Sequence, residues 1–407
     1  MSLSRRALLG TAAAVPAAAG FSRRARAQTP TVKIGVLNDQ SGPYRDTGGV
    51  TSVACARLAA EEFAGKGFNV EIISADHQNK PDVGAGIARQ WYDRDGVDMI
   101  IDVPTSSVAL AVAGVAKEKN KLHVNVGAAT VDLSGKSCAP SVIHYTYDTW
   151  MLAKSTGGAT VKSGGDSWYF ITADYAFGQQ LQKDTSNLVL ASGGKVMGSS
   201  AYPFPGTTDF SSFLLQAQSS GAKILGLANA GADTVNSIKQ AKEFGIKMKI
   251  ASMLMFLTDV NALGLDVAQG LTLTETFYWD LNDSTRAFTE RVKKVSPNNY
   301  PNMIHAGNYS GTLHFLKAVA DLGAAKIKSL DGTAIAERMK AMPTDDQAFG
   351  KHSIRADGRG LFPSYLFEVK KPSESKGKWD YYKQIATTPG PEAFRPMAEG
   401  GCYYLKA

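Results

Sequence analysis

Val32-Lys33-Ile34-Gly35-Val36-Leu37 sets Val32, Ile34 and Val36 on alternate positions, the period of a β-strand. Ser41-Gly42-Pro43-Tyr44 follows as a turn. Residues 47–63 then place Val50, Val53, Ala54 and Leu58 on one helical stripe. The unit repeats downstream. Val70-Glu71-Ile72-Ile73 reads as a strand, 83–93 as a helix, Met99-Ile100-Ile101-Asp102-Val103 as a strand, 108–119 as a helix, and His123-Val124-Asn125-Val126 as a strand. This alternation predicts an α/β fold with a doubly wound, mostly parallel sheet, because parallel strands need a crossover that a helix supplies.

The rhythm restarts at Trp168-Tyr169-Phe170-Ile171. A helix over 178–190, a strand over 196–202, a helix capped by Asp209 and stopped by Gly221, and strand Ile224-Leu225-Gly226-Leu227-Ala228 follow. A helix over 234–244 and strand Lys249-Ile250-Ala251-Ser252 complete the set. Two similar halves imply two similar domains. In the last third, 285–295, 303–322 and 335–342 read as helices, and 349–369 as two strands around Asp357-Gly358-Arg359-Gly360. The Pro-, Gly- and Lys-rich stretch 371–407 reads as a C-terminal tail.

The N-terminus carries an address rather than fold information. Ser4-Arg5-Arg6-Ala7-Leu8-Leu9-Gly10, an Ala-rich apolar run and Ala25-Arg26-Ala27 form a twin-arginine export signal over residues 1–27. The apolar run is too short and too alanine-rich to span a bilayer comfortably. The mature chain is expected to begin near Gln28 and to work in the periplasm. The whole-chain charge of +7 is therefore misleading: five of the 44 basic residues lie in the signal, leaving 39 against 37 acidic ones. A near-neutral protein gives no reason to expect nucleic-acid binding. Of the three cysteines, Cys55 lies among small apolar helix residues and reads as a buried thiol. Cys138 and Cys402 lie in loop-like sequence and are expected to pair in an oxidising compartment, pinning the tail; three free thiols is the alternative.

Catalytic signatures are missing. There is no Gly-x-Ser-x-Gly elbow and no His-Glu-x-x-His. Gly84-Ala85-Gly86 lacks the third glycine of a dinucleotide fingerprint, and Thr130 replaces the leading glycine of a phosphate loop before Gly135-Lys136-Ser137. The histidines form no metal-ligand pair on one helix face, and His123 and His144, set in strands, read as structural. No enzyme, cofactor or metal is expected.

Ligands of open α/β sheets bind beyond the carboxyl ends of the strands. Three first-half loops stand there: 38–44 with Tyr44, Pro104-Thr105-Ser106-Ser107, and Gly127-Ala128-Ala129-Thr130. Hydroxyls and free amides at a helix start suit a carboxylate, although Ser106 and Ser107 also suit simple N-capping. The second half offers the loops of Tyr175 and Phe177, of Asn229, of Phe256, and of Phe277-Tyr278-Trp279-Asp280. Their aromatics suit the wall of an apolar pocket or ordinary packing.

Taken in order, Ser41-Gly42-Pro43-Tyr44, Ser106-Ser107, Gly127-Ala128-Ala129-Thr130 and Asp174-Tyr175-Ala176-Phe177-Gly178 make residues 31–370 resemble the leucine/isoleucine/valine-binding family, the type I periplasmic solute-binding proteins of ABC importers. The resemblance implies two α/β lobes joined by three crossovers, with a monomer closing on a small-molecule ligand at the hinge and docking on a membrane permease. The implied lobes are 31–147 plus 280–345, and 148–279 plus 346–370. It gives Ser106, Ser107, Ala128 and Thr130 the ligand carboxylate, Tyr44 one wall, and Phe177 or Tyr175 the other, with Asn229 and Phe256 in facing loops. One departure stands out. Family members that bind amino acids hold the ammonium with an acid in a second-lobe loop, which here reads Ser252-Met253-Leu254-Met255-Phe256-Leu257. An ammonium buried without a counter-charge is costly. Either Asp39, Asp174 or Asp233 substitutes, or the ligand is an apolar or aromatic carboxylate or a small amide. A sensor acting through a partner receptor, and more remotely a secreted α/β hydrolase, are the competing readings.

Overall fold

The computed structural model describes residues 29–405. The export signal read over 1–27 lies outside the described residues. The first sheet is built from β1 (Thr31–Asn38), β2 (Asn69–Asp76), β3 (Met99–Asp102), β4 (Leu122–Asn125) and β5 (Val142–His144), in the order β2-β1-β3-β4-β5 and parallel throughout. Helices α1 (Gly49–Glu61), α2 (Pro81–Asp93) and α3 (Ser106–Lys119) are the crossovers. Both sheet faces are covered, as a parallel sheet requires. Val32, Ile34 and Val36 pack with Val53 and Ala56 of α1, while Leu37 and Ile100 pack with Trp91 of α2 and Val112 of α3. Gly35 is needed for that second layer, since a Cβ there would lie 2.3 Å from the Trp91 ring.

The chain leaves this sheet through α4 (Thr149–Leu152), a π-helical turn at Ala153–Gly157, and α5 (Gly158–Lys162). The second sheet comprises β6 (Ser167–Ala173), β7 (Lys195–Tyr202), β8 (Ile224–Ala228) and β9 (Lys249–Ser252), with α6 (Ala176–Ala191), α7 (Ser211–Ser219) and α8 (Ala232–Glu243) between them. Its order β7-β6-β8-β9 is again parallel. After α9 (Leu257–Leu263) and α10 (Leu265–Ala268), β10 (Thr272–Glu275) starts a third, antiparallel sheet. The chain then returns to the first sheet. There α11 (Asp283–Val295) and α12 (Met303–Leu322) pack beside α1, and α13 (Gly332–Ala341) packs on β4. It crosses a third time through 342–363 to β11 (Ser364–Val369) and β12 (Tyr382–Thr388), which complete the order β10-β11-β12. Leu273, Phe367, Val369 and Tyr382 share a core with Ile171 and Leu227, so the third sheet extends the second unit. The result is two α/β lobes joined by three crossovers. Among the described residues no helix is long and apolar enough to cross a membrane.

Two stretches differ from the sequence reading. Within 349–369 only Ser364–Val369 is a strand. The segment before it folds on itself around the expected turn, with Arg355 N donating to Arg359 O (2.8 Å) and Leu361 N to Ser353 O (2.9 Å), but as bridges rather than strands. It also joins the edge of the first sheet: Gly358 O accepts from His144 N (2.9 Å), and Gly360 N donates to His144 O (2.9 Å). Gly358, at φ +84, makes the turn. Arg359 in that turn is fully buried; it donates to Tyr147 O (3.1 Å) and lies 3.7 Å from Asp148. The stretch read as a tail contributes β12, whose Tyr382 is buried and pairs with Val369. Cys138 is joined to Cys402, closing a separation of 264 residues, and Cys55 is a buried free thiol.

Candidate functional site

The carboxyl ends of the two parallel sheets face one another, and the loops that leave them meet. Asp39, just after β1, accepts from the N–H groups of Gly42 (2.7 Å) and Tyr44 (2.8 Å) and from Asn79 Nδ2 (2.8 Å). Those bonds fold the 39–48 loop so that Tyr44 points at the second lobe. The Tyr44 hydroxyl meets the Tyr175 hydroxyl at 2.5 Å, and Pro43 O accepts from Ala232 N (3.1 Å). Beneath this contact lies a narrow cleft whose cavity volume is about 10 Å³, room for a single water. The first lobe lines it with Tyr44, Thr47, Pro104, Gly127, Ala129, Tyr147 and Ile304; the second adds Tyr175, Phe177, Ala230, Leu254 and Phe256.

Of the residues anticipated from sequence, Tyr44, Tyr175, Phe177 and Phe256 line the cleft. Ser106, Ser107, Ala128, Thr130 and Asn229 are not among its lining residues, although each is within three positions of one that is. Internal bonds explain their placement. Ser106 Oγ accepts from Thr130 N (3.3 Å), Thr130 Oγ1 from Asp132 N (3.4 Å), and Ala128 O from Asn125 Nδ2 (2.8 Å). Asn229 Oδ1 accepts from Thr234 Oγ1 (2.7 Å) and its Nδ2 donates to Ser237 (3.1 Å). Sequence reading missed Thr47, Tyr147 and Ile304. Tyr147 and Ile304 follow β5 and open α12, positions that a strand-end search over all first-lobe elements would have reached. Tyr147 is fixed by its hydroxyl donating to Gly127 O (2.6 Å).

No acidic or basic side chain lines the cleft among the described residues. The three acids considered as partners for an ammonium are placed differently. Asp39 is occupied in its own loop. Asp174 is exposed and accepts from Gln179 (2.8 Å). Asp233 is buried, accepts from the Tyr202 hydroxyl (2.8 Å), and has its pKa pushed up to about 6 by burial. Two further carboxyls stand close behind the wall. Asp102, buried with one unpartnered oxygen, is raised to about 6 by desolvation against a hydrogen bond from Asn38. Asp259 accepts from Phe256 N (3.0 Å) and burial raises it to about 7. The first turn of α3, which follows Pro104, has no side-chain cap, so its N–H groups stay available to an anion.

Two lobes with a largely apolar cleft at their facing strand ends define a type I two-lobed binding protein. The model of the periplasmic binding protein family matches residues 31–378, and the chain belongs to that family. A periplasmic binding protein from Burkholderia mallei is 47% identical, with TM-score 0.88 over 92% of this chain and 99% of that one. A branched chain amino acid ABC transporter periplasmic ligand-binding protein from Burkholderia xenovorans is 38% identical, with TM-score 0.79 over 91% and 99%. A Leu/Ile/Val-binding protein homolog 4 from Brucella abortus is 26% identical over 94% of this chain and 95% of its own length. The protein is thus a periplasmic binding protein of the ABC transporter type.

Proposed function

We propose that this protein is exported by its twin-arginine signal, captures a small apolar or aromatic monocarboxylate lacking an ammonium group, and delivers it to an ABC permease. The observation that carries the ligand class is the absence, among the described residues, of any charged side chain from the cleft lining. A carboxylate is met by dipoles alone, from the α3 N-terminus, which Ser106 and Ser107 open, and from the loop of Ala128 and Thr130, which the Ser106–Thr130 bond ties to it. The aromatic walls Tyr44, Tyr147, Tyr175, Phe177 and Phe256 take the apolar body. An ammonium in the same cleft would have no counter-charge. Lobe 1 comprises 31–147 plus 280–345, lobe 2 comprises 148–279 with the third sheet, and the ligand shifts the population toward closure by touching both. The bound monomer then docks on the permease, and no bond is made or broken.

A second reading keeps a hydrophobic amino acid as ligand. It is favoured by Asp233, a buried acid in the first turn of α8 beside Tyr175, and by the names of the Brucella and Burkholderia xenovorans relatives. A thermal-shift screen of the exported chain separates the two. Ligands that bind only the native state raise Tm at saturation. Shifts with benzoate-, cinnamate- or fatty-acid-type ligands and none with leucine or phenylalanine support the first reading; the reverse supports the second. No shift with either set removes both.

A further inference from the structure

Three aromatic side chains meet over the cleft from three different loops. Tyr44 follows β1 of the first lobe; Tyr175 and Phe204 follow β6 and β7 of the second. The Phe204 ring stacks on Tyr175 at 4.3 Å and on Tyr44 at 5.5 Å. The two phenol groups bond each other at 2.5 Å, and among the described residues neither has another side-chain hydrogen-bond partner. The Ala232 N–H to Pro43 O bond lies beside them, and Gly231 permits it: a Cβ there would sit 2.6 Å from Pro43 O. These contacts run from lobe to lobe through protein groups alone. Deeper in the cleft Tyr147 and Phe256 also meet from the two lobes, edge to face with ring centres 6.3 Å apart.

We propose that Tyr44, Tyr175 and Phe204 form an interlobe latch that populates the closed form without ligand, with Phe204 as the positioning residue that holds the Tyr175 ring against Tyr44. Water competes for both hydroxyls once the lobes part, so the net gain from the pair is modest and the latch tilts the equilibrium rather than locking it. A part-closed protein presents a nearly finished cleft to its ligand, which then has less of the closing free energy to supply. The inference rests on lobe closure but not on the identity of the ligand.

The test uses ligand-free protein, stripped by unfolding and refolded with its disulfide intact. Spin labels at Asp82→Cys and Lys183→Cys, both exposed and on opposite lobes, report the interlobe distance by electron–electron resonance; Cys55 is buried. The expected result is a closed population at the distance of this structure alongside an open one. Tyr44→Phe and Tyr175→Phe each lower the closed-to-open ratio about fivefold, the worth of one net hydrogen bond. The double variant is no worse than either single one, because both remove the same bond. Phe204→Leu lowers the ratio with both hydroxyls retained. A ligand-free protein with no closed population, identical distributions in all variants, or multiplying effects in the double variant overturns the latch. No ligand enters the experiment, so such a failure leaves the binding reading standing.

Discussion

Glu275 ends β10, where the chain turns back toward the first lobe, and it is fully buried. Its carboxyl accepts from Leu257 N at the start of α9 (3.2 Å), from Met303 N at the start of α12 (3.1 Å) and from the Tyr382 hydroxyl (2.9 Å). One side chain thus ties two helix starts and β12 together at the crossover. Burial pushes its pKa from 4.5 up to about 8, against those donors, with Asp259 adding to the rise. Between these values the folded protein keeps a proton that the unfolded chain has lost, so this group makes stability fall as pH rises. The slope is about 1.4 kcal/mol per pH unit, or about 4 kcal/mol between pH 5 and pH 8. Glu275→Gln removes the titration. It also turns an amide donor toward one of the backbone N–H groups, at a pH-independent cost of about 1–3 kcal/mol. Urea unfolding of both proteins at pH 5, 6, 7 and 8 isolates the effect, because the other buried titrating groups cancel in the difference. The wild type should be the more stable at pH 5, its advantage of at most about 1–3 kcal/mol shrinking by about 1.4 kcal/mol per unit, vanishing by about pH 7 and reversed at pH 8. A constant difference refutes the reasoning. A difference that grows with pH shows that the three donors outweigh burial and hold Glu275 ionised.

Cys138→Ser should lower stability by about 2–4 kcal/mol by freeing the C-terminal stretch, and a reducing agent should lower the wild-type Tm in the same way while leaving the variant unmoved. Gly35→Ala drives a Cβ into the Trp91 ring at 2.3 Å, and calorimetry should show a loss of about 1–3 kcal/mol. Gly231→Ala combines φ +60 with a contact of 2.6 Å across the lobes; the Asp82–Lys183 spin-label pair should show the closed population reduced about tenfold or more, from strain of about 1–3 kcal/mol.

The parallel lobes were legible because their strands are short apolar runs such as Met99–Asp102 and Ile224–Ala228, separated by helices with clear stops. The third sheet was less so. Tyr382–Thr388 is an edge strand in which only Tyr382 is buried, against Phe367 and Tyr278, so it has no inward-outward period to read. The 349–363 segment forms the expected turn and its local pairing, but it is also held through Gly358 and Gly360 to β5, more than 200 residues earlier in the chain, which no local pattern shows. At the cleft, the aromatics were legible because a Tyr or Phe directly after a strand has few other places to go. The hydroxyl residues were not: whether Ser106 and Thr130 face a ligand or bond each other depends on two loops meeting, which no local pattern encodes. Ile304 and Leu254 read as ordinary helix-start and loop hydrophobes.

The absence of a counter-charge for an ammonium is the central claim, and matched pairs test it most directly. Calorimetric titration of the stripped protein with phenylalanine against 3-phenylpropanoate, and with leucine against 4-methylpentanoate, varies the ammonium and little else. We expect each plain acid to bind at least about tenfold more tightly than its amino acid, since an unpaired buried charge costs well over 1.4 kcal/mol. Tighter binding of leucine or phenylalanine than of the matching acid would contradict the claim and point to Asp233 as the missing partner.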